Sequence, residues 1–244
     1  MTTTFDSLAE NYDAGRIGYA PEIYTNLVAN GLNQRYRVLD VGCGTGLASA
    51  PLIGWGYPVT GIDPSEPMLA HAKRRFPTAE WVVGTAEALP FKDGSFDAVI
   101  SAQTMHRVDR AAAMKEVFRV VRKGGLVGIW WKHLMSDDAV KSLRDEAASE
   151  IGIAPPPAGL TGGFKEFYAT PFTTHAIRVV PWRTSMPLSQ IVEMERSRGN
   201  VHDRMGEQYD AYIKIFERRL HERFGEGDPY VPLAYTHYLY IATK

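Results

Sequence analysis

The stretch Arg37-Val38-Leu39-Asp40-Val41-Gly42-Cys43-Gly44-Thr45-Gly46 decides how this chain is read. An apolar strand runs into three glycines spaced two apart, then into Leu47 to Ile53, which the pattern predicts as helical. Glycine reaches backbone angles closed to residues with a Cβ, and it lets a ligand approach the main chain. A helix opening at that point would add unpaired N–H groups and the positive end of its dipole, a setting suited to a carboxylate or phosphate.

Working outward, strand and helix signals alternate. Pro58 to Ile62 is a short strand ending in Asp63, and Ser65 caps a helix whose inner face is Met68, Leu69, Ala72 and Phe76. Trp81-Val82-Val83 leads to Gly84-Thr85-Ala86-Glu87, and Phe96 to Ser101 comes after the turn Lys92-Asp93-Gly94-Ser95. Met114, Val117, Phe118 and Val121 mark a helix that Lys123-Gly124-Gly125 should stop, before a fifth strand from Leu126 to Trp131. Strands separated by helix-length segments predict an α/β fold, a parallel sheet covered on both faces. Gly42, Asp63, Thr85 and Ser101 each fall just past a strand end and would line one crevice.

Residues 1–35 read as a helical lid. Phe5, Leu8, Ala9 and Tyr12 share a helical face, and Pro21 opens a second helix ending at Asn30-Gly31; Tyr12, Arg16 and Tyr19 ride on this segment. The remaining domain, 36–244, divides into a core over 36–133, a covering insertion over about 137–228 and a final strand at 235–242. Within the insertion, 137–151 is helical, Ala154 to Phe164 is a loop, and 176–184 is an edge strand interrupted by Pro181. Helices are expected over 191–198 and 207–224.

Composition sets the bounds. The 45% hydrophobic and 23% charged fractions of the 244 residues are those of an ordinary globular protein. With a net charge of −1 and no like-charge run, nothing in the composition predicts an electrostatic footprint for nucleic acid, and no nucleic-acid partner is expected. The single cysteine, Cys43, excludes an intramolecular disulfide and fits a reducing compartment. No secretory signal or bilayer-length apolar run is present, so a soluble, cytoplasmic chain without a membrane partner is expected.

Asp63 stands 17 residues after Gly46, where a carboxylate at a strand tip can accept both hydroxyls of a ribose. A dinucleotide site wants G-x-G-x-x-G; this chain has G-x-G-x-G with Leu at 47. An adenosine cofactor of another kind, a nicotinamide dinucleotide and a non-catalytic binder of the same fold are thus the readings to separate.

Five segments together resemble the class I S-adenosyl-L-methionine-dependent methyltransferases: Val38 to Gly46, Gly61-Ile62-Asp63-Pro64-Ser65, Gly84 to Phe91, Phe96-Asp97-Ala98-Val99 and Glu116 to Gly125. The likeness covers residues 36–131, and its finer details look like the trans-aconitate-methyltransferase-like, small-molecule branch. The resemblance implies a Rossmann-like seven-stranded, mostly parallel sheet whose last strand is antiparallel, and S-adenosyl-L-methionine as cofactor. It implies that Gly42, Cys43 and Gly44 lie against the methionine portion, and that Asp40 steadies the loop or reaches the amine through water. Asp63, with Pro64, would hold the ribose; Met68 would pack on the adenine, with Thr85, Ala86 and Glu87 at its edge. Ser101 and Gln103 would sit near the sulfonium, while Tyr12, Arg16 and Tyr19 close over the carboxylate. Many relatives carry Asp where Thr85 stands.

Methyl transfer needs orientation, and for a hydroxyl acceptor it also needs a base. His106, after the fourth strand, is the candidate base, with His133 a second; Arg107 stands where relatives often carry Trp. Neither histidine has a metal-ligand spacing, and no metal is expected. The Asn/Asp-Pro-Pro-Tyr signature of base- and amide-methylating enzymes is replaced by Ser101-Ala102-Gln103-Thr104. Phe164, Phe167, Tyr168, Phe172, Trp182 and Tyr209 suggest cover for a small, partly apolar acceptor, with oxygen favoured as the methylated atom. The oligomeric state is left open.

Overall fold

A computed structural model describes residues 16–154 and 164–244. The expected turn of helix at residues 5–12 and most of the 154–164 loop lie outside the described residues. Seven strands form one sheet in the order β3-β2-β1-β4-β5-β7-β6. They are β1 (Val38–Val41), β2 (Val59–Asp63), β3 (Glu80–Val83), β4 (Phe96–Ala102), β5 (Val121–Leu134), β6 (Thr174–Pro187) and β7 (Tyr230–Thr243). The first five pair in parallel, and Asp40 of β1 stands opposite Gly61 of β2 and Ile100 of β4. The last strand runs antiparallel: Gly124 N donates to Lys244 O at 2.7 Å and Met135 N to Ala234 O at 2.8 Å, so β7 descends as β5 climbs. All four residues of β1 and six of the seven in β4 are buried, as strands covered on both faces must be.

The chain divides into two compact units. One comprises residues 18–132, 163–180 and 237–244; it contains the glycine-rich turn and also residues 18–35, which the sequence pattern groups with the lid. Its helices are α1 (Pro21–Ala29), α2 (Ala50–Gly54), α3 (Glu66–Arg75), α4 (Arg110–Val120) and α6 (Lys165–Ala169). Helix α1 buries Ile23, Tyr24 and Leu27, and a Cβ on Gly128 of β5 would lie 2.4 Å from Leu27 Cδ2. A larger residue at 128 would therefore have to displace the Leu27 side chain. The main core here includes Leu39, Val41, Val99, Met114, Val117, Val127 and Phe167.

The other unit comprises residues 1–17, 133–162 and 181–236. Its described helices are α5 (Ala139–Glu150), α7 (Leu188–Arg196), α8 (Gly199–Met205) and α9 (Tyr209–Phe224). Helices α5, α7 and α9 pack around Val140, Leu143, Ile191, Val192, Ile213, Phe216 and Leu220. Asp138 starts α5: its Oδ1 accepts from Val140 N and Lys141 N, and its Oδ2 accepts from Ala234 N at 2.7 Å.

Three expectations are corrected. Residues Leu47 to Ile53 do not form the helix after the glycine turn; α2 begins at Ala50 and has five residues, because the chain spends 42–49 in turns. Helix α4 ends at Val120 rather than at Lys123-Gly124-Gly125. Val121 is already extended (φ −75°, ψ 136°), and the pairing jumps from Phe96–Val121 to Ala98–Leu126, so the glycines serve an irregular step in β5. Pro181 does not interrupt β6, which runs unbroken for 14 residues; at a sheet edge a missing N–H costs no ladder bond.

A Cβ on Gly61 would meet Trp81 at 2.4 Å and Cys43 Sγ at 2.7 Å, whereas one on Gly54 meets nothing within 4 Å. Gly61→Ala is expected to lower stability by about 1–3 kcal/mol, as overpacking does. Gly54→Ala is expected to raise it by about 0.4–1 kcal/mol through the unfolded chain. Urea midpoints of the two variants check both signs.

Candidate active site

The reversal of strand order lies between β1 and β4, the position at which open α/β sheets bind ligands beyond their strand tips. The glycine turn leaves β1 there. Gly42, Gly44 and Gly46 have φ of +70°, +52° and +80°, all in the left-handed region. A Cβ on Gly42 would lie 2.2 Å from Thr104 Cγ2, and one on Gly46 would lie 2.7 Å from the Trp81 ring. On Gly44 it would meet nothing within 4 Å, so this face of the turn opens to space.

Asp63, at the tip of β2, holds the turn: its Oδ2 accepts from Gly44 N and its Oδ1 from Ser65 N, both at 2.9 Å. Ser65 caps α3 by accepting from Met68 N at 3.3 Å, Pro64 between them is exposed, and Met68 is buried. Asp40, on β1, is wholly buried; its Oδ2 accepts from Ser49 Oγ at 2.6 Å and its Oδ1 has no partner. Burial pushes its carboxyl up to about 7 against the pull of the Ser49 hydroxyl, and nearby Asp63 adds to the rise. Burial also drives the Cys43 thiol well above its ordinary range, leaving that residue to contribute main chain rather than reactive sulfur.

Past β3, Thr85 is exposed and forms a bridge with Ala88; Ala86 is buried, and the Glu87 carboxylate accepts from Asp109 N at 3.1 Å. Past β4, Ser101 is wholly buried, with its hydroxyl donating to Val41 O at 2.8 Å, so it ties two strand ends together. Gln103 has φ +57°, the left-handed region in a residue other than glycine. It is pinned from both ends: its N donates to Trp130 O and its Nε2 to Lys132 O, at 3.0 and 2.8 Å. Thr104, the last residue of the segment Ser101-Ala102-Gln103-Thr104, can donate through Oγ1 to Gly42 O or Ala102 O, each at 3.1 Å, and so couples the two sides of the switch point.

His106 is exposed, and its Nδ1 accepts from the Trp131 indole N–H at 3.2 Å. Trp131 packs edge-on against Phe164 and Tyr240, and Phe167 joins both. Trp131 and Tyr240 were not among the expected site residues; a tryptophan at a strand end carries no sequence signal of its own. Tyr19 packs edge-on against Trp130 and His237, with Lys132 Nζ 5.1 Å from its ring centre. Arg16 and His133 belong to the second of the two units; Arg16 donates from Nε to Ser197 Oγ at 3.2 Å, and burial lowers the pKa of His133. Tyr12 lies outside the described residues. Among the described residues, no group of three or more His, Cys, Asp or Glu could hold a metal, and no helix is long and apolar enough to cross a membrane.

Residues 39–129 match a family model described as a methyltransferase domain. The chain is 34% identical over 198 residues to an uncharacterized methyltransferase of Mycobacterium tuberculosis, covering 81% of this chain and 77% of that one. It is 45% identical over 100 residues to a demethylmenaquinone methyltransferase of Beutenbergia cavernae, with 41% and 42% of the two chains covered. A solved structure from Anaeromyxobacter dehalogenans, assigned as a type II methyltransferase, matches with a TM-score of 0.68 at 22% identity over 93% and 96% of the chains. Phosphoethanolamine N-methyltransferase 2 of Haemonchus contortus, solved with phosphomonomethylethanolamine and S-adenosylhomocysteine, matches with a TM-score of 0.58 at 19% identity over 100% and 60%. These two structural likenesses concern the fold.

The Asp40 carboxyl gives stability a pH dependence. Its folded pKa is raised to about 7 from 3.8, so the folded state holds a proton that the unfolded chain releases. That stabilisation is complete below the unfolded value and is lost as pH rises through the folded one. Between pH 4 and 7, urea midpoints are expected to fall with rising pH in the wild type, and the slope should flatten in Asp40→Asn.

Proposed function

The chain belongs to the class I S-adenosyl-L-methionine-dependent methyltransferases, and we propose that it carries the methyl group of S-adenosyl-L-methionine to a small, partly apolar organic molecule, most readily to an oxygen. The observation that carries the cofactor reading is the open face of Gly44, where a Cβ would meet nothing within 4 Å, on a turn that the Asp63 carboxylate holds in place by accepting from Gly44 N. In this reading Gly42, Cys43 and Gly44 present main chain to the methionine portion, and Asp63 accepts from the ribose hydroxyls. Met68, Thr85, Ala86 and Glu87 flank the adenine. Asp40 acts through Ser49 to steady the turn, and Ser101 does so through Val41. When bound, the cofactor supplies a methyl group on a positively charged sulfur; the protein supplies position and electrostatics.

His106 acts on the acceptor. An indole N–H can only donate, so the Nδ1 facing Trp131 is the accepting nitrogen, and the neutral ring carries its proton on Nε2. Held that way, the ring donates to an acceptor oxygen through Nε2–H; removing a proton from the acceptor would require it to give up the Trp131 bond. This arrangement favours an acceptor that arrives able to attack, such as a carboxylate, over a hydroxyl that needs a base. The aromatic group of Trp131, Phe164 and Tyr240 beside it suits a partly apolar molecule. A nicotinamide dinucleotide, the other reading of the glycines, has no support in the family.

Calorimetry with S-adenosylhomocysteine should show saturable binding, weakened about tenfold or more in Asp63→Asn, where a charged acceptor becomes a neutral one. No binding by the wild type would overturn the cofactor reading. With an acceptor found by screening metabolites against methyl-labelled cofactor, His106→Ala should lower turnover roughly tenfold, the worth of one lost hydrogen bond, with cofactor affinity unchanged. His106→Gln, which still donates, should recover part of that loss.

A further inference from the structure

We propose that the end of the sheet opposite the glycine turn is a docking surface for an anionic lipid bilayer. The parallel strands all start at this end, and the helices that link them run back to it. Arg35 and Arg37 precede β1, Lys73 and Arg74 close α3, Lys92 leads into β4, and Lys123 stands near the start of β5; all six are exposed. Contacts knit these segments together. Arg37 N donates to Asp97 Oδ2 at 2.8 Å, Gly94 N donates to Arg119 O at 3.0 Å, and the Arg122 guanidinium lies 5.0 Å from the centre of the Tyr36 ring. Trp81 Nε1 donates to Phe76 O at 3.1 Å, which draws the end of α3 to the start of β3. Every residue named here belongs to the unit that holds the glycine turn.

Among the described residues, the acidic side chains at this end are Glu80, Asp93, Asp97 and Glu116. Asp97 pairs with Arg122 at 2.7 Å and Arg37 at 3.8 Å, while Asp93 and Glu116 pair with Arg119 at 2.8 and 2.7 Å. Those three acids meet three arginines. Arg35, Lys73, Arg74, Lys92 and Lys123 are left against Glu80, which accepts from Thr60 Oγ1 at 3.1 Å. Cations at a helix C-terminus answer the helix dipole, and that accounts for Lys73 and Arg74. It does not account for Arg35, Lys92 or Lys123, which lie outside the helices, nor for the apolar side chains among them. Trp55, between α2 and the start of β2, and Val28, near the end of α1, are each 48% exposed. Both adjoin Tyr24: Trp55 packs edge-on against its ring at 5.8 Å, and Val28 follows it by one helical turn.

An indole half out of water beside an aliphatic side chain, flanked by cations, suits the headgroup layer, where tryptophan is enriched and basic side chains meet lipid phosphate. The cations are spread over the starts of five neighbouring strands, a span of about 20 Å at roughly 4.8 Å per strand, so they face a plane of many charges rather than one small anion. A nucleic acid would draw on the same charges, but Val28 offers a base no ring to stack on. Since no helix among the described residues is long and apolar enough to cross a membrane, the contact is peripheral. The sequence pattern, which offers no spanning run, predicts no membrane partner; this patch is assembled from segments far apart in the chain. Docked this way, the unit turns the open face of Gly44, at the far end of the same strands, toward water.

The full-length protein is sedimented with vesicles of equal parts phosphatidylcholine and phosphatidylglycerol, and with vesicles of phosphatidylcholine alone. Binding is expected to the anionic vesicles only, and to weaken as salt rises. The triple variant Lys73→Gln, Arg74→Gln, Lys123→Gln should bind about fivefold less per charge removed, roughly hundredfold in all, with its circular dichroism unchanged. Anionic vesicles brominated on the acyl chains should quench the tryptophan fluorescence of the wild type more than that of Trp55→Phe. Failure to sediment with anionic vesicles at low salt, equal binding to both vesicle types or unchanged affinity in the folded triple variant would overturn the proposal. So would equal quenching in Trp55→Phe, which needs no charge variant, and tighter binding of a short RNA duplex that displaces the vesicles. None of these measurements involves the methyl donor, so the outcome is independent of the cofactor reading.

Discussion

A single carboxylate holds the bend on which the site depends. Asp63, at the tip of β2, accepts from Gly44 N at the middle of the glycine turn and from Ser65 N at the start of α3. Backbone amides that would otherwise be left over at a strand-to-turn junction are thereby satisfied, and the turn is fixed with Gly44 outward. The other two glycines are locked by neighbours instead, Gly42 under Thr104 and Gly46 under Trp81. One position of the three remains open, and it is the one beside the acid.

Across the switch point from this turn the chain stores strain. Gln103 holds a left-handed backbone because Trp130 O and Lys132 O receive its main-chain and side-chain N–H groups. Such a conformation costs on the order of 1–3 kcal/mol and persists only where its surroundings over-determine it. The strain secures placement: Thr104 meets Gly42, and His106 meets Trp131 two elements away in sequence. A histidine whose Nδ1 faces an indole N–H is a donor first, which shifts the chemical expectation for the acceptor.

Two buried carboxylates show how differently the fold treats such groups. Asp40 has one hydroxyl donor and a second carboxylate, Asp63, nearby, and burial raises it. Glu195 sits among guanidiniums, and they hold it ionised despite equal burial. Neither behaviour could be guessed from the residue type; each is set by what the tertiary structure brings within a few ångströms.

The sequence by itself determined the parallel core, because apolar runs, glycine turns and capping residues recur at strand–helix spacing, and each of those signals is local. It likewise located Gly42, Gly44, Asp63 and Ser65, all within one turn of a strand end. It misplaced the helix after the glycine turn and the end of α4, where the choice between turn, helix and strand is made by pairing: Phe96 with Val121, and Gly46 against Trp81. Only the tertiary structure decided that Ser101 is spent on Val41, that Trp131 fixes the nitrogen His106 can offer, and that Arg144 and Arg198 converge on one carboxylate. Those facts join residues far apart in the chain, and the hydrogen bonds and charges that make them have no periodicity along the sequence to betray them.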